Sequence, residues 1–302
     1  MSIADLVRVG GSRVVEHASI GELTTYRVGG AARVLVTLES DHDLEELAPL
    51  WRDDGLPLVI VGNGSNLLVA DGEHDVVALR LGAGFAGLSW HDEGEVVVVT
   101  AGAALDLPVA ARRLAGAGVV GFEWAVGVPG TFGGAIAMNA GGHGSDMAAS
   151  VDSVRVWRDG FRRLTLADLH LGYRESALEA GDVVVEVTCH LRHGDADAAK
   201  AALREIVAWR RANQPGGANA GSVFRNPPGD SAGRLIEAVG AKGLRHGSAH
   251  VSEKHANFIL VDAGGRAEDV YELARTVADR VVSATGVRLV LEHRLVGFEE
   301  PS

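Results

Sequence analysis

Glycine is gathered rather than spread along this chain: of 40 glycines in 302 residues, runs stand at 62–64, 127–134, 141–144 and 216–221, beside apolar stretches. Scattered glycine makes loose loops. Glycine clustered against strands marks places where the backbone turns through conformations closed to other residues, or must approach something closely. A chain of this kind is constrained to short strands joined by tight loops with work to do.

The run Gly62-Asn63-Gly64-Ser65-Asn66 follows the apolar segment Leu58 to Val61. Its two glycines permit positive φ, so successive N–H groups can point into one concavity, an anion-binding nest. Ser65 and Asn66 add side-chain hydrogen bonds; a plain strand-to-strand turn is the other reading. The second run, Val126-Gly127-Val128-Pro129-Gly130-Thr131-Phe132-Gly133-Gly134-Ala135-Ile136, has neither the G-x-G-x-x-G spacing of a dinucleotide turn nor the Gly-Lys-Ser/Thr of a phosphate-binding P-loop. Pro129-Gly130 is a turn signal, and Gly133-Gly134 can open a helix whose N–H groups face a phosphate. Asn139 to Gly144 follows at once. Two candidate anion loops fit a cofactor with two phosphates. Tyr26-Arg27-Val28-Gly29-Gly30 sets a ring and a guanidinium beside a turn, or is a strand end with a solvated Arg27.

The net charge of −12 argues against nucleic acid or an anionic membrane surface as the main partner. Cys189 is the one cysteine, within the apolar run Val183 to Leu191, and reads as a buried structural thiol. No window approaches the ~20 apolar residues that span a bilayer. The first twenty residues, with Asp5 and Glu16, lack the apolar core of a signal peptide. The expectation is a soluble, cytoplasmic protein.

Periodicity predicts strands at Val34–Leu38, Leu58–Val61, Leu67–Val69, Val76–Leu81, Glu95–Thr100 and Val183–Leu191, with a hairpin of Val151–Trp157 and Phe161–Leu166 around Arg158-Asp159-Gly160. Helices are expected at 41–51, where Pro49 should end or bend the run, and at 106–115. Beyond residue 195 the character shifts: a charged helix at 195–212, a flexible 213–221, helices at 231–239 and 268–283, and strands at 258–261 and 287–291. This places two domains, 1–195 and 196–302, both α+β.

Three polar residues stand out. Arg174, in Leu171-Gly172-Tyr173-Arg174-Glu175-Ser176, could clamp a carboxylate or phosphate, or be a surface arginine. Ser222, in Asn219-Ala220-Gly221-Ser222-Val223-Phe224-Arg225-Asn226-Pro227, could expose a hydroxyl in a pocket, but no G-x-S-x-G elbow surrounds it. Glu292 follows an apolar segment and is expected to be partly buried, with a raised pKa, or paired with Arg294. His250 and His255 lack metal-site spacing, so no metal is expected.

In order, the stretches TTYRVGGAA, VGNGSNLLV, GVPGTFGGAIAMNAG, LGYRES, NAGSVFRNP, SAGRLIE, VSEKHANFI and LEHRLVG resemble the UDP-N-acetylenolpyruvoylglucosamine reductase family, from Thr24 to Gly297. The resemblance implies an FAD-binding fold of the vanillyl-alcohol-oxidase (PCMH) type, in which two α+β subdomains sandwich FAD, followed by an α+β substrate-binding domain. It implies noncovalent FAD held by Tyr26, Arg27, Gly62, Asn63, Gly64, Ser65, Asn66, Gly127, Val128, Pro129, Gly130, Thr131, Gly133, Gly134, Ala135 and Asn139. It puts catalysis on Arg174, Ser222 and Glu292, and the UDP-sugar substrate on Tyr173, Asn226, Lys254 and Asn257. NADPH would be the reductant, and the protein a monomer. A flavin oxidase of the same fold, or a non-catalytic flavin-binding regulator, would not need all three catalytic positions.

Two departures stand out. The family's closing motif is usually Glu-Pro-Glu-Val-Arg; here Leu291 and His293 flank Glu292, and only the Glu-x-Arg spacing is kept. Asn213 replaces the lysine that many relatives carry before Gln-Pro. The C-terminal part resembles the shorter form, without an inserted tyrosine loop.

Overall fold

A computed structural model describes residues 3–52 and 55–298. The packing divides into two compact units interleaved in sequence: one of residues 1–15, 34–62 and 77–210, the other of 16–33, 63–76 and 211–302. By packing, the units are interleaved rather than divided at one point of the sequence. The charged helix Ala196–Asn213 lies almost wholly with the first unit, and two N-terminal segments join the second.

Strand Ala31–Leu38 alternates between buried and more open positions, as a half-buried strand must. It lies in a four-stranded sheet of order Val14–Ser19, Ala31–Leu38, Glu73–Leu81, Leu58–Ile60. Helix Asp41–Arg52 packs Leu44, Leu47 and Trp51 into the same core as Leu6, Val36 and Leu79. The Asp43 carboxylate accepts the N–H groups of Glu39 (2.8 Å) and Ser40 (2.9 Å). Pro49 does not end this helix, which runs on to Arg52 because Leu50 and Trp51 are buried beyond it.

A second, antiparallel sheet follows the order Phe161–Thr165, Val151–Trp157, Val183–His193, Val96–Gly102, Leu88–Glu93. The expected hairpin is there, Trp157 opposite Phe161. The edge strand Leu88–Glu93 was not legible, because its residues are largely exposed and polar. Phe122 and Phe132 stack in its core, 5.4 Å between centroids. Cys189 is buried there, its thiol pushed up to about 12 by desolvation, which keeps it inert.

The second unit sets helix Ala267–Thr285 against a three-stranded antiparallel sheet of Arg245–His246, Ala249–Val251 and Ile259–Val261. Val270, Leu273, Ala274, Val277 and Val281 form its buried stripe, the face expected from helical spacing. Ser231 caps helix Ala232–Ala238, and Gly240 beyond its end takes φ 68°. One expectation fails: 287–291 is not a strand. Leu291 makes only an isolated bridge to Phe224, and the closing strand is Arg294–Val296, paired in parallel with Leu67–Val69. The apolar run misled because Val290 is exposed and only part of the segment packs.

Candidate functional site

The first unit carries Gly62, the residue 127–135 loop, Asn139, Tyr173 and Arg174. Gly130 takes φ 121°, a conformation that side chains avoid, so the Pro129-Gly130 turn depends on glycine. Thr131 caps the short helix Phe132–Ala137, its hydroxyl facing the Gly134 N–H at 3.5 Å. A Cβ at Gly62 would stand 2.7 Å from Thr131 Oγ1, so the two glycine runs meet at this hydroxyl. Gly127 instead makes room for His143, whose ring meets Trp209 edge-on at 5.2 Å. These small residues, close backbone and hydroxyls suit the phosphates of a dinucleotide.

Asn139 serves the neighbouring turn. It is buried and takes φ 37°; its amide donates to the Gly172 carbonyl (3.0 Å) and to Asp146 (3.2 Å), and its oxygen accepts from the Ala148 N–H (3.0 Å). Gly172 and Glu175 bridge each other, closing a tight turn over Tyr173 and Arg174. Arg174 itself takes φ 59°, an uncommon conformation that the surrounding bonds must hold. Its guanidinium lies over the exposed Tyr173 ring, 5.6 Å from the centroid.

The second unit carries Tyr26, Arg27, Asn63 to Asn66, Ser222, Asn226, Lys254, Asn257 and Glu292. Three of its segments are stitched together around Ser222 and Glu292. The Glu292 N–H donates to the Val223 carbonyl (2.8 Å), and the Arg225 N–H to Val290 (2.9 Å). The Asn66 amide donates to the Glu292 carbonyl (3.1 Å), and the Arg294 N–H to Asn66 (2.9 Å). Ser222 and Glu292 are half-buried. Asn257 is 3% exposed: its amide accepts from the Phe224 N–H (3.0 Å) and donates to the Phe224 carbonyl (2.8 Å). It therefore clamps the extended segment beside Ser222. Asn226 accepts the Ala232 N–H (3.0 Å) from an exposed position, and the exposed Lys254 reaches the Arg211 carbonyl.

The turn at Thr24 to Arg27 is held by the buried Thr24, whose hydroxyl donates to the Gly21 carbonyl at 2.7 Å. Arg27, exposed at φ 58°, donates its N–H to the Thr24 carbonyl at 3.1 Å, and the Thr25 N–H reaches Gly64 at 3.2 Å. Tyr26 is buried and meets His293 edge to face. Sequence reasoning missed Thr24 and His293, although the departure at position 293 was itself the signal. Among the described residues, no group of three or more His, Cys, Asp or Glu could hold a metal ion, and no helix is long and apolar enough to cross a membrane.

Burial holds His293 down to about 4, against an ordinary 6.5. In the unfolded chain its ring protonates as pH falls through 6.5, while the folded ring stays neutral until near 4. The unfolded state then binds more protons, so stability is full above 6.5, falls through that window and levels off below it. The loss from this group should be roughly 3 kcal/mol. Urea unfolding of the wild type and His293→Leu at pH 7 and 4.5 checks it. Equal acid sensitivity of the two proteins would remove the assignment.

Residues 32–160 match the FAD binding domain model, and residues 213–296 the C-terminal domain model of UDP-N-acetylenolpyruvoylglucosamine reductase. These two models, with mixed helix and strand in both units, bear out an FAD-binding domain followed by an α+β domain. The chain is 41% identical over 289 residues to the UDP-N-acetylenolpyruvoylglucosamine reductase of Acidiphilium cryptum, covering 95% of this chain and 92% of that one. It is 42% identical over 278 residues to the enzyme's second form in Symbiobacterium thermophilum, covering 91% and 89%. The crystal structure of the reductase from Thermus caldophilus superposes with a TM-score of 0.79 at 36% identity, covering 94% of this chain and 98% of that one. On this likeness over nearly its whole length, the chain belongs to the UDP-N-acetylenolpyruvoylglucosamine reductase family.

Proposed function

We propose that this protein reduces the enolpyruvyl double bond of UDP-N-acetylenolpyruvoylglucosamine to give UDP-N-acetylmuramate, a cytoplasmic step of peptidoglycan synthesis, using noncovalent FAD and NADPH. The observation that carries the reading is the direct backbone bond between the Ser222 and Glu292 segments, N–H of Glu292 to carbonyl of Val223 at 2.8 Å, in a chain of this family. FAD, when bound, supplies the hydride taken from NADPH. The loops at 62–66 and 127–135, with Tyr26, Arg27 and Asn139, are assigned to holding it.

Hydride arriving at the terminal vinyl carbon leaves negative charge on the neighbouring carbon and its carboxylate. Only interactions that strengthen as this charge develops speed the reaction. Arg174 is assigned to the carboxylate as a charge-assisted clamp. Glu292 is assigned to the same developing enolate as a hydrogen-bonding partner. Ser222 gives its proton to the carbon as general acid, a role for which a weakly acidic hydroxyl suffices because the enolate is basic. Tyr173, Asn226, Lys254 and Asn257 are assigned to the substrate side, Asn257 through its hold on Phe224. The protein is assigned as a monomer without nucleic-acid or membrane partners.

NADPH should bleach the yellow protein anaerobically, and the enolpyruvyl sugar nucleotide should restore its colour. Denaturation should release FAD intact. Bleaching without recovery on substrate would leave a flavoprotein and remove the reductase.

A further inference from the structure

Inside the second unit the rings of Tyr26 and His293 meet with centroids 5.6 Å apart and planes at 85°. Tyr26 is 1% exposed and His293 6%. Tyr26 Oη and His293 Nε2 are both buried with no well-formed hydrogen bond among the described residues, and the Ala220 backbone is the polar group facing both. Buried polar groups are almost always satisfied, by protein or by ordered water, and a water needs two to four such partners. Two buried polar atoms in adjoining rings, both facing one backbone group, make that set.

The place matters as much as the chemistry. Tyr26 lies in the turn bonded to Gly64, Ala220 stands two residues before Ser222, and His293 follows Glu292 directly. Along 292–294 only the His293 side chain turns inward; Glu292 is half-buried and Arg294 exposed. The backbone on either side is pinned by Val223 and Asn66. The buried His293 ring is thus the side-chain anchor of the short segment that carries Glu292.

We propose that His293, seated against Tyr26 and joined to it and to the Ala220 backbone through one internal water, is the positioning residue that aims Glu292. The proposal rests on the reading that Glu292 acts in the enolpyruvyl reduction. His293 touches neither substrate nor cofactor in this scheme.

The test is a double-mutant cycle on the intact flavoprotein, with stopped-flow absorbance following each half-reaction. His293→Leu should slow reoxidation by the sugar nucleotide about tenfold, with flavin reduction by NADPH and substrate KM within about twofold of wild type. His293→Gln, which keeps a polar atom near the water, should recover most of that loss. In a Glu292→Gln background, His293→Leu should add nothing further. Wild-type reoxidation by His293→Leu, or full additivity with Glu292→Gln, overturns the proposal. If His293→Leu loses flavin or fails to fold, His293→Met replaces it: a long apolar side chain that fills the same space without a ring nitrogen should slow the same half-reaction alone, and no slowing overturns the proposal. Failure of the wild type itself to reoxidise with substrate would instead sink the reductase reading.

Discussion

Ser222→Ala is expected to reduce at the wild-type rate with NADPH and to reoxidise with the enolpyruvyl sugar nucleotide roughly 10²–10⁴-fold more slowly, the usual share of general acid catalysis. The two half-reactions need different things from the protein. Hydride transfer from NADPH needs no proton from Ser222; protonation of the substrate carbon does. The structure makes the substitution clean. The neighbouring backbone is held by the Val223 N–H on the Asn257 carbonyl (2.9 Å) and by the Glu292 N–H on the Val223 carbonyl (2.8 Å), and neither bond involves the hydroxyl. Substrate affinity is measured alongside, because a misplaced substrate would also react slowly. A mutant reoxidising at the wild-type rate under saturating substrate would remove Ser222 as proton donor and leave Glu292 or a water.

Asn257→Ala should be strongly destabilising for a polar truncation in the second unit. It deletes both side-chain bonds to Phe224 at a 3% exposed site, stranding a buried N–H and a buried carbonyl. Unsatisfied buried groups cost about 1–3 kcal/mol each, so the unfolding free energy should drop by roughly 2–5 kcal/mol. Because the same clamp lies two residues from Ser222, reoxidation should slow even where the protein stays folded. Asn257→Asp keeps an acceptor for the Phe224 N–H but loses the donor, and should fall between. Denaturant unfolding of the three proteins decides it: a loss under about 0.5 kcal/mol in Asn257→Ala would mean that Phe224 finds other partners.

Much of the secondary structure was legible because strong periodicity and turn chemistry are local. The hairpin about Asp159-Gly160 and the buried stripe of Ala267–Thr285 follow from spacing alone. The strand Arg294–Val296 did not, since its pairing with Leu67–Val69 depends on a partner far away in sequence. The same holds for the site. The motifs pointed to Ser222, Glu292 and Asn257, but a sequence does not reveal that both amide atoms of Asn257 are taken by Phe224. Nor does it reveal that Asn139, read as a cofactor contact, pins the Gly172 turn beneath Arg174. His293 was visible as an odd neighbour of Glu292; its ring partner, Tyr26, is on another segment altogether.

The interleaving of the two units has a consequence for synthesis on the ribosome. Residues 16–33 and 63–76 emerge early, yet the body they pack into, 211–302, is made last. Leu67–Val69 in particular must wait, as an unpaired apolar strand, for Arg294–Val296 to appear near the other end of the sequence. Such waiting segments are open to wrong pairing and aggregation while the chain grows. A nascent chain stalled after residue 210 should accordingly be protected from protease in its first unit and cleaved within 20–30 and 63–72.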